Sequence, residues 1–155
     1  MLTLTKKSEY GLTALCHLAM VAPDKIVSAR DIAERQNVPL PLLMNVLKTL
    51  NQAGFISSVR GAHGGYRMAV DPATVSLSDL VEAIEGPVRF VPCAPTSEHA
   101  DLACERTGIC MLRKPLHHVH EKFREFLRHI TIADLAGEGA PYVPGVTPPQ
   151  KAVSA

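Results

Sequence analysis

The sequence predicts a mostly α-helical protein with one small β-hairpin and a long helix near its C-terminus. Three observations predict this fold class. Apolar residues recur at helical spacing through the first third of the chain, two strand-like runs then flank a glycine-rich turn, and a later apolar stripe repeats at alternating intervals of four and three residues. A chain of 155 residues, 46% hydrophobic, suffices for one compact domain with an appended element.

The charge is unevenly divided along the chain. Residues 1–70 carry eight Lys and Arg against four acidic residues, a net charge of +4, whereas residues 71–155 carry eight basic and eleven acidic residues, a net charge of −3. A basic half joined to an acidic half indicates a polyanion-binding module attached to a second functional unit. No apolar run approaches the roughly 20 residues needed to cross a bilayer. We therefore expect no membrane span and a cytoplasmic protein, in which thiols stay reduced.

Three helices are predicted in the basic half. The first covers an amphipathic run at residues 11–22. Ser28, followed three residues later by an acid, resembles a capping box that opens a short second helix, which ends before Pro39. A third helix begins near Pro41 and ends at Gly54. Two helices joined by a tight turn after a first helix match a helix-turn-helix arrangement.

A β-hairpin is predicted directly after the third helix, from strand-like runs at residues 55–59 and 66–70. Helix-turn-helix and hairpin together make a winged helix, in which the third helix enters the DNA major groove and the hairpin, the wing, touches backbone or minor groove. The sequence thus predicts a protein that binds a double-stranded DNA operator. The side chains expected to contact DNA are Asn45, Lys48, Arg60, His63 and Arg67.

The start of the third helix offers few groups that could read bases. Residues 40–44 read LPLLM, so Asn45 is its first side chain with a hydrogen-bonding group, and Lys48 follows. We therefore expect wing insertion by Arg60 or His63, and DNA shape, to contribute much of the specificity.

Two further helices are predicted in the acidic half. The first is capped by Ser76 and stopped by Gly86-Pro87. The second covers residues 112–130, and its apolar stripe has the heptad pattern of a coiled-coil seam, so we expect it to pair with its copy in a homodimer. The predicted seam residues are Leu112, Leu116, Val119, Phe123, Phe126 and Ile130.

These elements divide the chain into four units. The predicted units are a winged-helix DNA-binding region at 1–72, a linking helix and three-cysteine loop at 73–110, a dimerisation helix with an end segment at 111–134, and a flexible tail rich in proline and glycine at 135–155.

Three cysteines between the last two helices could hold a metal. Cys93, Cys104 and Cys110 have the spacing C-x10-C-x5-C, and converging thiolates suit an iron–sulfur cluster or zinc. Their spacing alone also allows a thiol switch or inert residues. Cys16 lies on the apolar first helix, where a buried structural cysteine is expected. The motifs of phosphate-binding loops, serine hydrolases and zinc proteases are absent, so we expect no enzyme.

Four segments resemble a known regulator family. They are residues 4–11 (LTKKSEYG), 50–56 (LNQAGFI), 58–66 (SVRGAHGGY) and 77–86 (LSDLVEAIEG). Together they are similar to the BadM/Rrf2-type winged-helix regulators over about residues 1–136, and the three cysteines resemble the branch that binds an iron–sulfur cluster. The resemblance implies a homodimeric transcription regulator, usually a repressor, whose DNA binding responds to redox state, nitric oxide or iron–sulfur status.

The resemblance also implies a ligand set for a 2Fe–2S or 4Fe–4S cluster. The three cysteines would be joined by Glu9 from the dimer partner, with His99 as the second choice, because Arg113 stands where some members carry a histidine. The first cysteine gap is longer than the family's usual spacing, and the apolar start of the third helix implies a different operator from those of other members. A thiol-switch or zinc-bound winged-helix regulator without a cluster is the alternative.

Overall fold

The structure, a computed structural model, describes residues 4–89 and 109–138. The described residues form a mostly helical fold with one two-stranded antiparallel sheet, as the sequence predicts. In chain order the elements are α1 (Lys6–Ala19), α2 (Ala29–Gln36), α3 (Leu40–Gln52), β1 (Ile56–Val59), β2 (Gly65–Met68), a 3-10 turn (Pro72–Thr74), α4 (Leu77–Glu85), α5 (Arg113–His129) and α6 (Ile132–Glu138).

The helix-turn-helix is formed by α2 and α3, and its ends follow local side-chain chemistry. The Ser28 hydroxyl accepts a hydrogen bond of 3.1 Å from the Asp31 amide, which caps α2. Helix α2 ends at Gln36 and is capped by Asn37, whose φ of 52° lies in the left-handed region that asparagine tolerates better than most residues. Pro41 then occupies the first turn of α3, where a missing amide hydrogen costs nothing.

The wing consists of β1 and β2, paired so that Ile56 lies opposite Met68. Both strands are shorter than the predicted runs, and β2 begins one residue earlier, at Gly65. A third segment, around Val27, also pairs with the wing, and the sequence pattern did not predict it. Val27 and Tyr66 exchange backbone hydrogen bonds of 2.9 and 2.8 Å. This bridge fastens the wing to the segment that leads into α2.

A single apolar core lies between the helices. Helix α1 packs against α3, α4 and α6, and α3 also packs against α2 and β1. Because the chain has no tryptophan and few other aromatic residues, the apolar surface buried in this core comes mainly from aliphatic side chains. Their burial is the main favourable contribution to the free energy of folding. The largest fully buried apolar side chains are Leu15, Leu18, Ile32, Leu43, Leu47, Leu50, Ile56, Leu80 and Ile132.

Helix α6 corrects the predicted tail. Residues 135–138 belong to this helix and Ala136 is buried, so an ordered element extends past residue 134. The Thr131 hydroxyl accepts from the Asp134 amide at 3.1 Å and the Asp134 carboxylate accepts from the Thr131 amide at 3.2 Å, a reciprocal cap. Ile132 anchors the helix in the core. The rest of the predicted tail, 139–155, lies outside the described residues.

Helix α5 matches the predicted long helix within one residue at each end. It packs against α4, and this contact divides the predicted seam into two rows. Leu116, Phe123 and Ile130 are half-buried within the chain. The other row, spaced by seven residues, stays open: Leu112, Val119 and Phe126 are 55%, 44% and 61% exposed. The row available to a second chain is therefore narrower than the six-residue stripe predicted.

Candidate DNA interface and cysteine segment

The outward face of α3 is the candidate base-reading surface. Leu43, Val46, Leu47 and Leu50 are buried in the core. At 3.6 residues per turn, the line of α3 directly opposite them comprises Pro41, Asn45, Lys48 and Gln52, all exposed. Two of the predicted DNA-contacting residues, Asn45 and Lys48, are on this line. Gln52 was missed, although the helical period alone would have placed it there.

The wing carries the other three predicted DNA-contacting residues. Arg60 and His63 are exposed in the turn between β1 and β2. Arg67 lies on β2, where its Nε donates a hydrogen bond of 3.3 Å to the Ser57 hydroxyl across the strand pair, and its Nη1 lies 4.0 Å from a carboxylate oxygen of Asp24. Arg67 thus has partners on and beside the wing, whereas Arg60 lies in the turn at its tip.

A cleft of about 260 Å³ lies between α1, α3 and the end of α4. Lys6, Lys7 and Tyr10 of α1 face Leu42 and Asn45 of α3 across it. The carboxylate of Glu9 lies 2.6 Å from Lys6 Nζ, and this contact raises the pKa of the lysine. Positive charge at the start of α1 thus borders the cleft next to the outward face of α3.

The first turn of α1 is joined to the last residue of α4. Glu85 Oε1 accepts a hydrogen bond of 3.0 Å from the hydroxyl of Ser8, which is buried, and a second one from the hydroxyl of Thr5. A carboxylate at the C-terminus of its own helix is unfavourable, but at the N-terminus of α1 it is favourable. No local sequence pattern indicates this contact, because its partners are 77 and 80 residues apart.

Two of the predicted cluster ligands, Cys93 and Cys104, lie outside the described residues, as does His99. Cys110 is a free, half-buried cysteine three residues before α5. Glu9 lies in the first turn of α1 with a side chain 52% exposed. Within 4–89 and 109–138, no three His, Cys, Asp or Glu side chains form a group that could hold a metal ion.

Cys16 lies on α1 against the apolar core and is half-buried. Burial raises the pKa of its thiol, because a thiolate loses hydration there. Cys16 therefore has little thiolate character at neutral pH, as a structural cysteine should.

The contact between α4 and α5 contains polar groups that sequence reasoning missed. His120 on α5 is fully buried. Arg124 Nη2 donates to Glu82 Oε1 at 3.1 Å, with both side chains largely buried. Arg124 and Glu82 are 42 residues apart, so their pairing had no local signal.

Comparison with known proteins decides the family. The model of the Rrf2 family, described as an iron-dependent transcriptional regulator, matches residues 4–138. The chain belongs to the Rrf2 family. The Rrf2 protein of Nitratidesulfovibrio vulgaris is 33% identical over 132 residues, which cover 85% of each chain.

Solved structures agree with membership in the Rrf2 family. The structure of T. potens IscR matches with a TM-score of 0.69 and 29% identity, covering 93% of this chain and 94% of that one. The oxidized form of Staphylococcus aureus CymR matches with a TM-score of 0.67 and 27% identity, covering 92% and 98%. The protein is thus a transcriptional regulator of the Rrf2 family, as its relatives are. None of the helices in the described ranges is long and apolar enough to span a membrane.

Proposed function

We propose that this Rrf2-family regulator is a homodimeric repressor that holds an iron–sulfur cluster on Cys93, Cys104 and Cys110, with Glu9 contributed by the second chain. The state of the cluster sets the affinity of the dimer for its double-stranded DNA operator. A bound cluster would supply a centre whose integrity responds to oxygen, nitric oxide or iron supply.

Operator binding through α3 and the wing is supported by exposure and charge. All five predicted contact residues are exposed, and they lie in the half of the chain with a net charge of +4. Lys48 and Arg60 suit phosphate contacts, which position a protein on DNA, whereas the Asn45 amide suits a base edge. We expect Lys48→Ala to weaken binding to all sequences alike and Asn45→Ala to relax specificity at one base pair.

Homodimerisation is supported by the open row on α5. Three large apolar side chains at seven-residue spacing face solvent in the single chain, which is the arrangement of one row of a coiled-coil seam. Exposed apolar surface of this regularity indicates a protein interface. Two chains paired through α5 would present two copies of α3 and so bind a palindromic operator.

Two of the proposed ligands, Cys110 and Glu9, lie within the described residues and support the cluster. Cysteine thiolates are the donors that iron–sulfur clusters use, and Cys110 has no disulfide partner among the described residues. Cys110 lies just before α5 and is half-buried, so its thiol is partly shielded from solvent but can still be reached by a cluster. More than half of the Glu9 side chain is exposed, so a second chain has access to its carboxylate. Cys110 and Glu9 therefore fit an iron–sulfur cluster.

The observation that carries the sensing role is the position, between two anchored elements, of residues 86–112, which carry the three cysteines and which we call the cysteine segment. The segment leaves α4 just after Glu85, which binds Thr5 and Ser8 at the start of α1, and it re-enters at Cys110 directly before α5. A change of ligation in this segment therefore acts on helices of both the DNA-binding region and the dimer row. Altered spacing between the two copies of α3 would change which half-sites fit.

A thiol switch without a cluster is the second candidate. Cys110 is a free cysteine, and a solved structural neighbour, CymR, is known in an oxidized form. A reversible disulfide in the same segment would act on the same two anchors. Such a protein would be colourless and would form a reversible disulfide, whereas a zinc-bound one would be colourless and would be destabilised by chelators.

Operator affinity before and after loss of the cofactor tests the proposal. The full chain, purified without air, is titrated against labelled operator DNA by fluorescence anisotropy, then again after exposure to air or nitric oxide. We expect the affinity to change at least tenfold for the wild type and not at all for the Cys93→Ser, Cys104→Ser, Cys110→Ser triple variant. The matched control, Cys16→Ser, should respond like the wild type. A triple variant whose affinity and whose response to air or nitric oxide both equal those of the wild type would exclude the proposed coupling.

A further inference from the structure

Apolar side chains occupy the place on α3 where base-reading residues are expected. Pro41 and Met44 are exposed at the N-terminal end of the helix, Met44 to 43%. Leu42 is also exposed, but it lies on the side of α3 that faces α1 across the cleft, about 100° around the helix from Pro41. Exposure of apolar groups to water is unfavourable, so these side chains gain free energy of binding if they meet an apolar surface on the DNA.

The helical geometry places these two residues beside Asn45. Pro41 and Met44 are three residues apart and so are neighbours on the helix surface. Asn45 is on the same outward line as Pro41 and directly follows Met44. The three side chains form one patch, a carboxamide with an apolar edge, which we call the reading patch.

The chemistry of the major groove restricts what this patch can bind. The thymine 5-methyl is the apolar group exposed there on the base pairs, and a carboxamide forms a bidentate pair with adenine N6 and N7. Neither group of the patch favours the carbonyl and N7 acceptors of guanine, which Arg and Lys bind. Lys48, one turn further along the outward line, supplies the charge that keeps the patch close to the phosphates.

We propose that Pro41 and Met44 select operators by contact with thymine 5-methyl groups, next to an adenine read by Asn45. This inference rests on the proposed operator binding through α3 and specifies which bases that helix reads. Each half-site should then contain thymines next to an adenine at the position that α3 reaches.

The test removes the methyl group and nothing else. A binding site is first selected from randomised duplex DNA with the full, anaerobically purified chain. Each half-site thymine is then replaced by deoxyuridine, and affinity is measured by fluorescence anisotropy. We expect about a fourfold loss for each contacted methyl, since burial of one methyl-sized group contributes about 0.8 kcal/mol.

Variants connect the loss to Met44. In Met44→Ala the deoxyuridine penalty should largely disappear at one thymine, because both partners of the contact are gone. The control, Met20→Ala, removes a methionine of similar exposure at the end of α1 and should keep the full penalty. Equal affinity of wild type for thymine and deoxyuridine sites, or a penalty that Met44→Ala leaves intact, overturns the inference. Failure to select any DNA would instead contradict operator binding itself.

Discussion

Glu85, the last residue of α4, accepts the hydrogen bond of the Ser8 hydroxyl in the first turn of α1 at a distance of 3.0 Å. Ser8 is buried, so this carboxylate satisfies a group that water does not reach. The same oxygen accepts from Thr5, which caps α1. One side chain thus joins the start of the DNA-binding region to the point where the cysteine segment begins.

Removing this acceptor should destabilise the fold. Glu85→Ala leaves the Ser8 hydroxyl buried without its partner, which costs about 1–3 kcal/mol of unfolding free energy. Urea denaturation followed by circular dichroism measures the change. Glu34→Ala, at an exposed position on α2, is the control and should shift the unfolding free energy by less than about 0.5 kcal/mol. Equal stability of the two variants would show that the contact contributes nothing.

Gly65 should tolerate no side chain. A Cβ there would lie 2.3 Å from the Val27 carbonyl oxygen, so Gly65→Ala must break the backbone bridge that fastens the wing. We expect a loss of at least about 2 kcal/mol in urea denaturation, comparable to an overpacked core site. Gly137→Ala on α6 meets no atom within 4 Å and should be neutral or stabilising by up to about 1 kcal/mol. If both variants unfold alike, the close approach at Gly65 is wrong.

A charge in the open row of α5 should separate the dimer. Phe126→Glu places a carboxylate at the most exposed of the three apolar positions, where pairing would bury it. Analytical ultracentrifugation should find a dimer for wild type and a monomer for this variant. The control is Met20→Glu, at a methionine outside α5 that is 55% exposed, and this variant should remain dimeric. A monomeric wild type, or a dimeric Phe126→Glu, would contradict pairing through this row.

Stability should fall as the pH falls below neutrality, in part through His17. Burial, followed by the nearby charge of Arg35, lowers the pKa of this imidazole in the folded state, and Gln36 Nε2 lies 3.0 Å from its Nδ1. The unfolded chain then binds a proton more readily. The contribution of His17 to the unfolding free energy is therefore fully present above the pKa of the unfolded state, about 6.5. It is lost as the pH falls from there through the lower pKa of the folded state. His17→Gln should flatten the dependence of unfolding free energy on pH between about 7.5 and 5. An unchanged slope would remove His17 as a source of it.

Local chemistry made part of this structure predictable. The cap at Ser28, the proline in the first turn of α3 and the glycines of the wing turn each determine backbone geometry within a few residues, so the winged helix could be predicted from sequence. Helix α6 was not predicted because its seven residues make only about two turns, too few for a helical period to be recognised. Thr131 followed by Asp134 is nevertheless a capping pattern. The apolar stripe of α5 is divided into two rows because α4 packs against one of them. This is a tertiary contact, which the sequence of α5 alone does not indicate.

For the candidate site, the sequence predicts which side chains of α3 are exposed but not the contacts between residues distant in the chain. Exposure of Asn45 and Lys48 follows from the helical period, which equally identifies Gln52. The contact of Glu85 with Ser8 and the pairing of Arg124 with Glu82 join residues distant in sequence, and no period or spacing encodes them. The apolar character of the reading patch was visible in the sequence, and the helical period places Pro41 on the outward line, but the exposure of Met44 became evident only with α3 packed on the core.

Metal analysis of the anaerobically purified chain tests the central claim most directly. Visible absorption is recorded, and iron, sulfide and zinc are measured per chain for wild type, Cys110→Ser and Cys16→Ser. The proposed cluster predicts coloured wild-type and Cys16→Ser proteins with iron and sulfide in equal amounts, and a Cys110→Ser protein depleted of both. Wild-type protein that stays colourless and free of iron after reconstitution would contradict the claim.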